Sequence, residues 1–117
     1  MNTSIVDDAG ELDKHITFQR FTGERDAVGD LHYFDDSCWT DALKVWASIR
    51  TIGAGEFYKV GQSESFITHN IKIRYRSGIL AEMRIKYKSR IFKILAPPID
   101  LKGGGQWLLL KVQELVP

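Results

Sequence analysis

Residues 65–75, SFITHNIKIRY, constrain the fold more than any other stretch of the chain. Ile67, His69, Ile71, Ile73 and Tyr75 fall on one side of a two-residue repeat, and Phe66, Thr68, Asn70, Lys72 and Arg74 on the other. Side chains alternate faces along a strand, so this reads as one apolar and one mostly polar face. β-Branched and aromatic residues suit such a half-buried pleat. A long strand of this kind is a central partner for its neighbours, and its polar face looks at water or at something charged.

The same repeat recurs along the chain. Residues 12–21 alternate through Ile16 and Phe18, and read as a first strand. Residues 38–50 set Leu43, Val45, Ala47 and Ile49 against Lys44, Trp46, Ser48 and Arg50, which predicts a second. Residues 83–88 alternate again, a turn at Ser89 and Arg90 follows, and 91–95 form the return strand. Pro97 and Pro98 end that strand, because proline cannot donate to a ladder. The glycine-rich 102–106 reads as a turn, and 107–115 as the last strand, with Leu108, Leu110 and Val112 together. Between glycines, Phe57 and Val60 suit one or two helical turns in 53–62. The expected fold is all-β: a small antiparallel six-stranded barrel or sandwich with one short helix. We divide the chain into a tail, 1–11, and a single domain, 12–117.

Residues 22–37 join the first two strands and are too long for a plain connection, since loops beyond about 12–15 residues tend to be functional or disordered. Asp26 to Gly29 and Asp30 supply turn chemistry, so the segment reads as an extended arm. Its acids Asp26, Asp30, Asp35 and Asp36 lack the regular spacing of a calcium loop, and we read them as solvated. Asp7 and Asp8 likewise read as a solvated end. Trp46 breaks the polar face of the second strand. It packs beneath the arm, the reading we favour, or else covers a barrel end or contacts a partner.

The 117 residues suit one domain with a modest core. With 44% hydrophobic and 26% charged residues, disorder throughout is excluded. Sixteen basic against fifteen acidic residues give a net charge of +1, so no global excess points to nucleic acid. The single cysteine, Cys38, allows neither an internal disulfide nor a cysteine-built metal site, and suggests a reducing compartment. No basic-then-apolar stretch marks a signal peptide. No apolar run approaches the roughly 20 residues that span a bilayer, so no membrane partner is expected.

Catalytic signals are sparse. The histidines, His15, His32 and His69, stand in no HExxH, GxSxG or Cys/His pattern. His69 lies on the apolar face, where it reads as a hydrogen-bonded core residue. We therefore expect no enzyme, no metal and no cofactor. Lys72, Arg74 and Arg76 lie on one strand face, and Arg84, Lys86 and Lys88 on another. Side by side they would form a basic stripe able to track phosphates. An ordinary solvated face, balanced by the acidic arm, is the reading we prefer.

An ordered set of segments resembles the head-tail joining proteins of tailed bacteriophages, also called head-closure, stopper or head-tail adaptor proteins. Gly10 to Arg20 resembles their opening strand, and Asp26 to Gly29 their arm turn, where an aromatic often replaces Val28. Trp39 with Val45 to Arg50 resembles the second strand, and Gly55 to Tyr58 the helix start. Thr68 to Tyr75 is the most specific match; Met83 to Ile85 and Tyr87 to Ile94 follow in order. The resemblance covers residues 9–116 and departs at Pro97, Pro98 and the 102–106 turn.

The resemblance implies a virion protein of the phage neck, soluble in the host cytoplasm before assembly. It would form a ring with copies of itself, close the DNA-filled head, and dock portal-adaptor proteins on one side and a tail or tail-completion protein on the other. Interface residues expected on this basis are Asp26, Val28, Gly29, Asp30, His32, Tyr33, Phe34, Trp46, Glu56, Phe57 and Tyr58. Lys72, Arg74, Arg84 and Lys86 are candidates to face packaged double-stranded DNA. The alternative is a small nucleic-acid-binding barrel that uses those same basic residues.

Overall fold

A computed structural model describes residues 12–23, 33–52 and 67–116. Seven strands follow in order among them: β1 (Lys14–Phe21), β2 (Trp39–Thr51), β3 (His69–Arg74), β4 (Arg84–Tyr87), β5 (Arg90–Ile94), β6 (Ile99–Asp100) and β7 (Trp107–Leu115). All pairings are antiparallel, in the order β3-β2-β1-β4-β5-β7, and β7 returns to β3. This closes a six-stranded barrel, as expected from the alternation; β6 is a two-residue addition beside β7. Closure is completed at Val112, whose backbone faces His69 of β3 on one side and Ile94 of β5 on the other.

The alternating apolar residues fill the barrel. Ile16, Phe18, Ile71, Ile73, Ile85, Phe92, Leu110 and Val112 are fully buried in one cluster. Each such side chain contributes about 1.5–3 kcal/mol when removed from water. The register carries the pattern round the wall: Phe18 faces Leu43 and Ile85, Ala47 faces Ile73, and Ile71 faces Leu110.

Two local expectations differ from what is observed. The β4–β5 turn is Lys88 and Ser89, one residue earlier than predicted, because Arg90 already pairs with Tyr87. β3 ends at Arg74, so Tyr75 leaves the barrel and is exposed instead of continuing the apolar face. Closure uses the strand edges; the first half of β2 pairs with β1 alone, and its ladder to β3 covers only Ala47–Thr51. The helix expected at 53–62 and the arm tip at 24–32 lie outside the described residues. Within those described, the only helical turns are two of 3-10 type, Asp36–Cys38 and Leu101–Gly103.

Candidate functional site

The two roots of the arm are bound to the barrel by different chemistry. At the first root, the Thr22 and Gly23 amides donate to the Cys38 carbonyl at 2.7 and 3.3 Å. The approach is close: a Cβ on Gly23 would lie 2.6 Å from Cys38 Sγ. The Cys38 thiol reaches Asp35 at 3.5 Å, and burial together with that carboxylate pushes its pKa up. A protonated thiol of this kind is a poor nucleophile.

The second root is organised by Arg84. A β-bulge between Phe18 and Gln19 sets Gln19 opposite Asp41 of β2 and Arg84 of β4. These three form a row across the outside of the barrel. Gln19 donates to Asp41 at 2.8 Å and accepts from Arg84 Nε at 2.6 Å. The remaining guanidinium nitrogens donate to the Tyr33 carbonyl and, at 2.6 Å, to Asp36 Oδ1. Trp39 lies under the guanidinium, 4.9 Å from ring centre to Cζ, with Phe21 and Tyr33 against its ring at 5.2 and 5.5 Å. Arg84 is fully buried although it points away from the barrel core. A planar cation with five donors is well suited to satisfy three acceptors at once. Lys86 adds a contact to Asp36 at 3.3 Å, and the two cations, Arg84 first, hold the Asp36 carboxyl below its ordinary range. What this cluster can do is mechanical: it fixes where residues 33–36 leave the barrel. Phe34, just beyond it, is 46% exposed.

The basic stripe, the less favoured reading of these residues, does not form. β3 and β4 are separated by β2 and β1 in the wall, so Lys72 and Arg74 are not beside Arg84 and Lys86. Arg84 is committed to the arm root and cannot face DNA. Lys72 is also buried, with its ammonium 5.0 Å from the Trp107 ring. Of the four candidates, Arg74 is exposed and Lys86 is partly so. Alternation told which way these side chains point, but not what covers them.

Among the interface candidates, Tyr33 and Phe34 belong to the arm root, and Trp46 stands apart from it. Trp46 is 57% exposed, seven residues along β2 from Trp39, and stacks on His15 at 4.8 Å; the expected packing beneath the arm is not seen among the described residues. Asp26, Val28, Gly29, Asp30, His32, Glu56, Phe57 and Tyr58 lie outside the described residues.

His69 is buried, as its place on the apolar face implied. Its Nδ1 lies 2.9 Å from Thr68 Oγ1, and its ring meets Phe92 edge-on at 5.3 Å. Nε2 is 3.8 Å from Glu114, which is held by two 3.0 Å bonds from Arg90. Burial lowers the His69 pKa, and Arg90 lowers that of Glu114. The group ties β3, β5 and β7 together at the seam. Among the described residues no three His, Cys, Asp or Glu side chains converge as a metal site would require.

The described residues thus form a closed barrel with an arm root fixed on its outer wall. The profile of a family described as phage head completion protein matches residues 7–115. The chain belongs to that family. It is 31% identical over 99 residues to head completion protein gp16 of Bacillus phage SPP1, covering 85% of this chain and 87% of that protein. The solution structure of protein SF1141 from Shigella flexneri 2a superposes with a TM-score of 0.60 at 27% identity, over 89% of this chain and 95% of that one. A chain from the virion of a native gene transfer agent particle shares the fold, with a TM-score of 0.60 at 20% identity over 91% and 97% of the two chains. Family membership assigns a structural role in completing the phage head and makes the chain a virion component.

Proposed function

We propose that this head completion protein acts in the neck of the particle: it closes the DNA-filled head and offers the surface on which the tail docks. The observation that supports this is the arm root. A buried guanidinium that orders residues 33–36 on a closed barrel spends a costly charge on aiming a loop, which has purpose if the loop reaches another subunit. The proposed assembly is a ring of identical copies, in which each subunit uses two different patches. The arm supplies one of them. Portal-adaptor proteins lie on the head side, and a tail or tail-completion protein on the other. Double-stranded DNA in the channel is touched without regard to sequence. The role requires no catalysis.

The test is complementation of particles that lack the protein, read by electron microscopy. Wild-type protein restores DNA-filled, tailed particles. Deleting residues 26–31 spares Tyr33 and Asp36, so the domain stays folded, and particles leak DNA or remain tailless. A deletion that yields infectious particles would remove the arm from the mechanism. Heads that hold DNA and carry tails without any of this protein would refute the neck assignment.

A further inference from the structure

Two exposed patches of different chemistry stand apart along β2. At the start of the strand lies the arm root, where Phe34, Asp35 and Asp36 are all exposed. Residues 33–38 carry these two carboxylates and no cation. Trp46 is seven residues further along the strand, about 23 Å in extended chain. There it lines an open groove of about 270 Å³ together with Val45, Arg74, Tyr75 and Arg76. Trp46, Tyr75 and both arginines are exposed. Large exposed aromatics clustered at a groove mark an interaction site.

We propose that the arm root of one subunit docks in this groove of the next, with Phe34 between Trp46 and Tyr75, and Asp35 and Asp36 against Arg74 and Arg76. The contact presupposes the ring proposed above and identifies the second of its two patches. The two sides are complementary: an aromatic followed directly by two carboxylates faces two aromatics beside two arginines. Asp36 is held by Arg84 and Lys86, but a carboxylate offers about four acceptor sites, so its exposed side takes a further donor. Both patches are fixed before they meet. Arg84 holds Tyr33 and Asp36, Trp46 stacks on His15, and the Tyr75 amide donates to the Gln106 carbonyl at 2.9 Å. Little order is then left to impose on contact. The separation along β2 keeps one subunit from closing on itself and lets it engage a neighbour at each end. Such a contact is heterologous and closes into a ring by rotation. Arg74, a candidate to face DNA, is thereby assigned to the subunit contact.

The experiment cross-links subunits in particles complemented with the full chain. Ser37 and Ser77 are exposed and flank the two patches. With a short bismaleimide, S37C/C38S/S77C gives a ladder of multimers, whereas S37C/C38S and C38S/S77C each give monomers. F34A or R74E/R76E, added to the triple variant, removes the ladder and leaves the thermal melt unchanged. A triple variant that stays monomeric while glutaraldehyde still joins subunits overturns the proposal and leaves the ring standing. Tailed, DNA-filled particles in which neither reagent joins subunits remove the ring, and this contact with it. Dimers from either single-cysteine variant mean that like patches meet, which overturns the proposal. A ladder that survives R74E/R76E overturns it as well; if those particles also lose DNA, the groove belongs to nucleic acid.

Discussion

Arg84 donates to Asp36 at 2.6 Å across 48 positions of sequence, and the two residues differ sharply in setting: the arginine is fully buried, the aspartate 67% exposed. A charge on the barrel wall is thus sealed by a loop whose own carboxylate stays near water. Gln19 and the Tyr33 carbonyl take the other guanidinium donors, so the cation has three acceptors and one counter-charge.

That asymmetry predicts an order of variants. Replacing Arg84 by methionine removes the charge together with its desolvation cost and keeps much of its volume, so R84M costs about 1 kcal/mol. D36A leaves the buried cation without its counter-charge and costs about 2 kcal/mol, short of a fully buried pair because Asp36 is exposed. Urea midpoints at constant slope would show D36A as the less stable variant. The reverse order would mean that the guanidinium holds the root by packing rather than by charge.

The first root predicts a steric pair. In G23A the new Cβ meets Cys38 Sγ at 2.6 Å and Cys38 Cβ at 2.8 Å, and neither belongs to a long flexible side chain. Overpacking of this kind costs about 1–3 kcal/mol. C38G removes both obstructing atoms, so G23A costs less in a C38G background. Additive losses in the double-mutant cycle would place the strain elsewhere.

Alternation made the strands legible and left the closure hidden. Ile71 and Ile73 announced an inward face in 65–75, and Ile85 and Leu110 did so in theirs; each lies fully buried. A period of two is a local property. The β3–β7 pairing that closes the barrel joins residues far apart in sequence, and nothing in either strand states it. Arg84 and Lys72 were placed correctly on the outward face and wrongly at the surface, because cover comes from Tyr33 to Asp36 in one case and Trp107 lies beside the cation in the other. A usable signal for Arg84 was present in the adjacent Asp35 and Asp36, an acidic pair at the end of a loop opposite a strand with basic outward residues. The turn at Lys88 was missed by one residue because a lysine there gives no sign of its backbone geometry.

Lys88 itself takes a φ of 55° at the first position of that two-residue turn. A side chain in this region costs about 1–2 kcal/mol, and glycine does not pay it, although its unfolded chain has more freedom to lose. K88G therefore raises stability by about 0.5 kcal/mol. K88V, with a branched Cβ, lowers it by more than about 1 kcal/mol. Thermal melts of the three proteins provide the comparison. A K88V variant as stable as wild type would show that the turn relaxes to another conformation.

The seam of the barrel predicts the response to acid. His69 is buried with its pKa lowered by desolvation, so the unfolded chain binds its proton more readily than the folded one between the folded pKa and the ordinary value of 6.5. Within that window stability rises with pH. The contribution is complete above 6.5 and is lost as pH falls through the folded value. Glu114 is lowered by Arg90 from 4.5, which adds a second loss, with the same sign, at lower pH. Asp36 adds a third below its ordinary 3.8. Replacing His69 by glutamine retains a partner for Thr68 and removes the titration. H69Q is less stable than wild type at pH 8, but its stability does not fall between pH 6.5 and the onset of carboxylate protonation. Denaturation across this range separates the two proteins by slope as well as by height. A wild-type curve that is flat below pH 6.5 would mean that Glu114 offsets the burial of the imidazole, and one that rises toward acid that it stabilises the protonated imidazole more than burial opposes it.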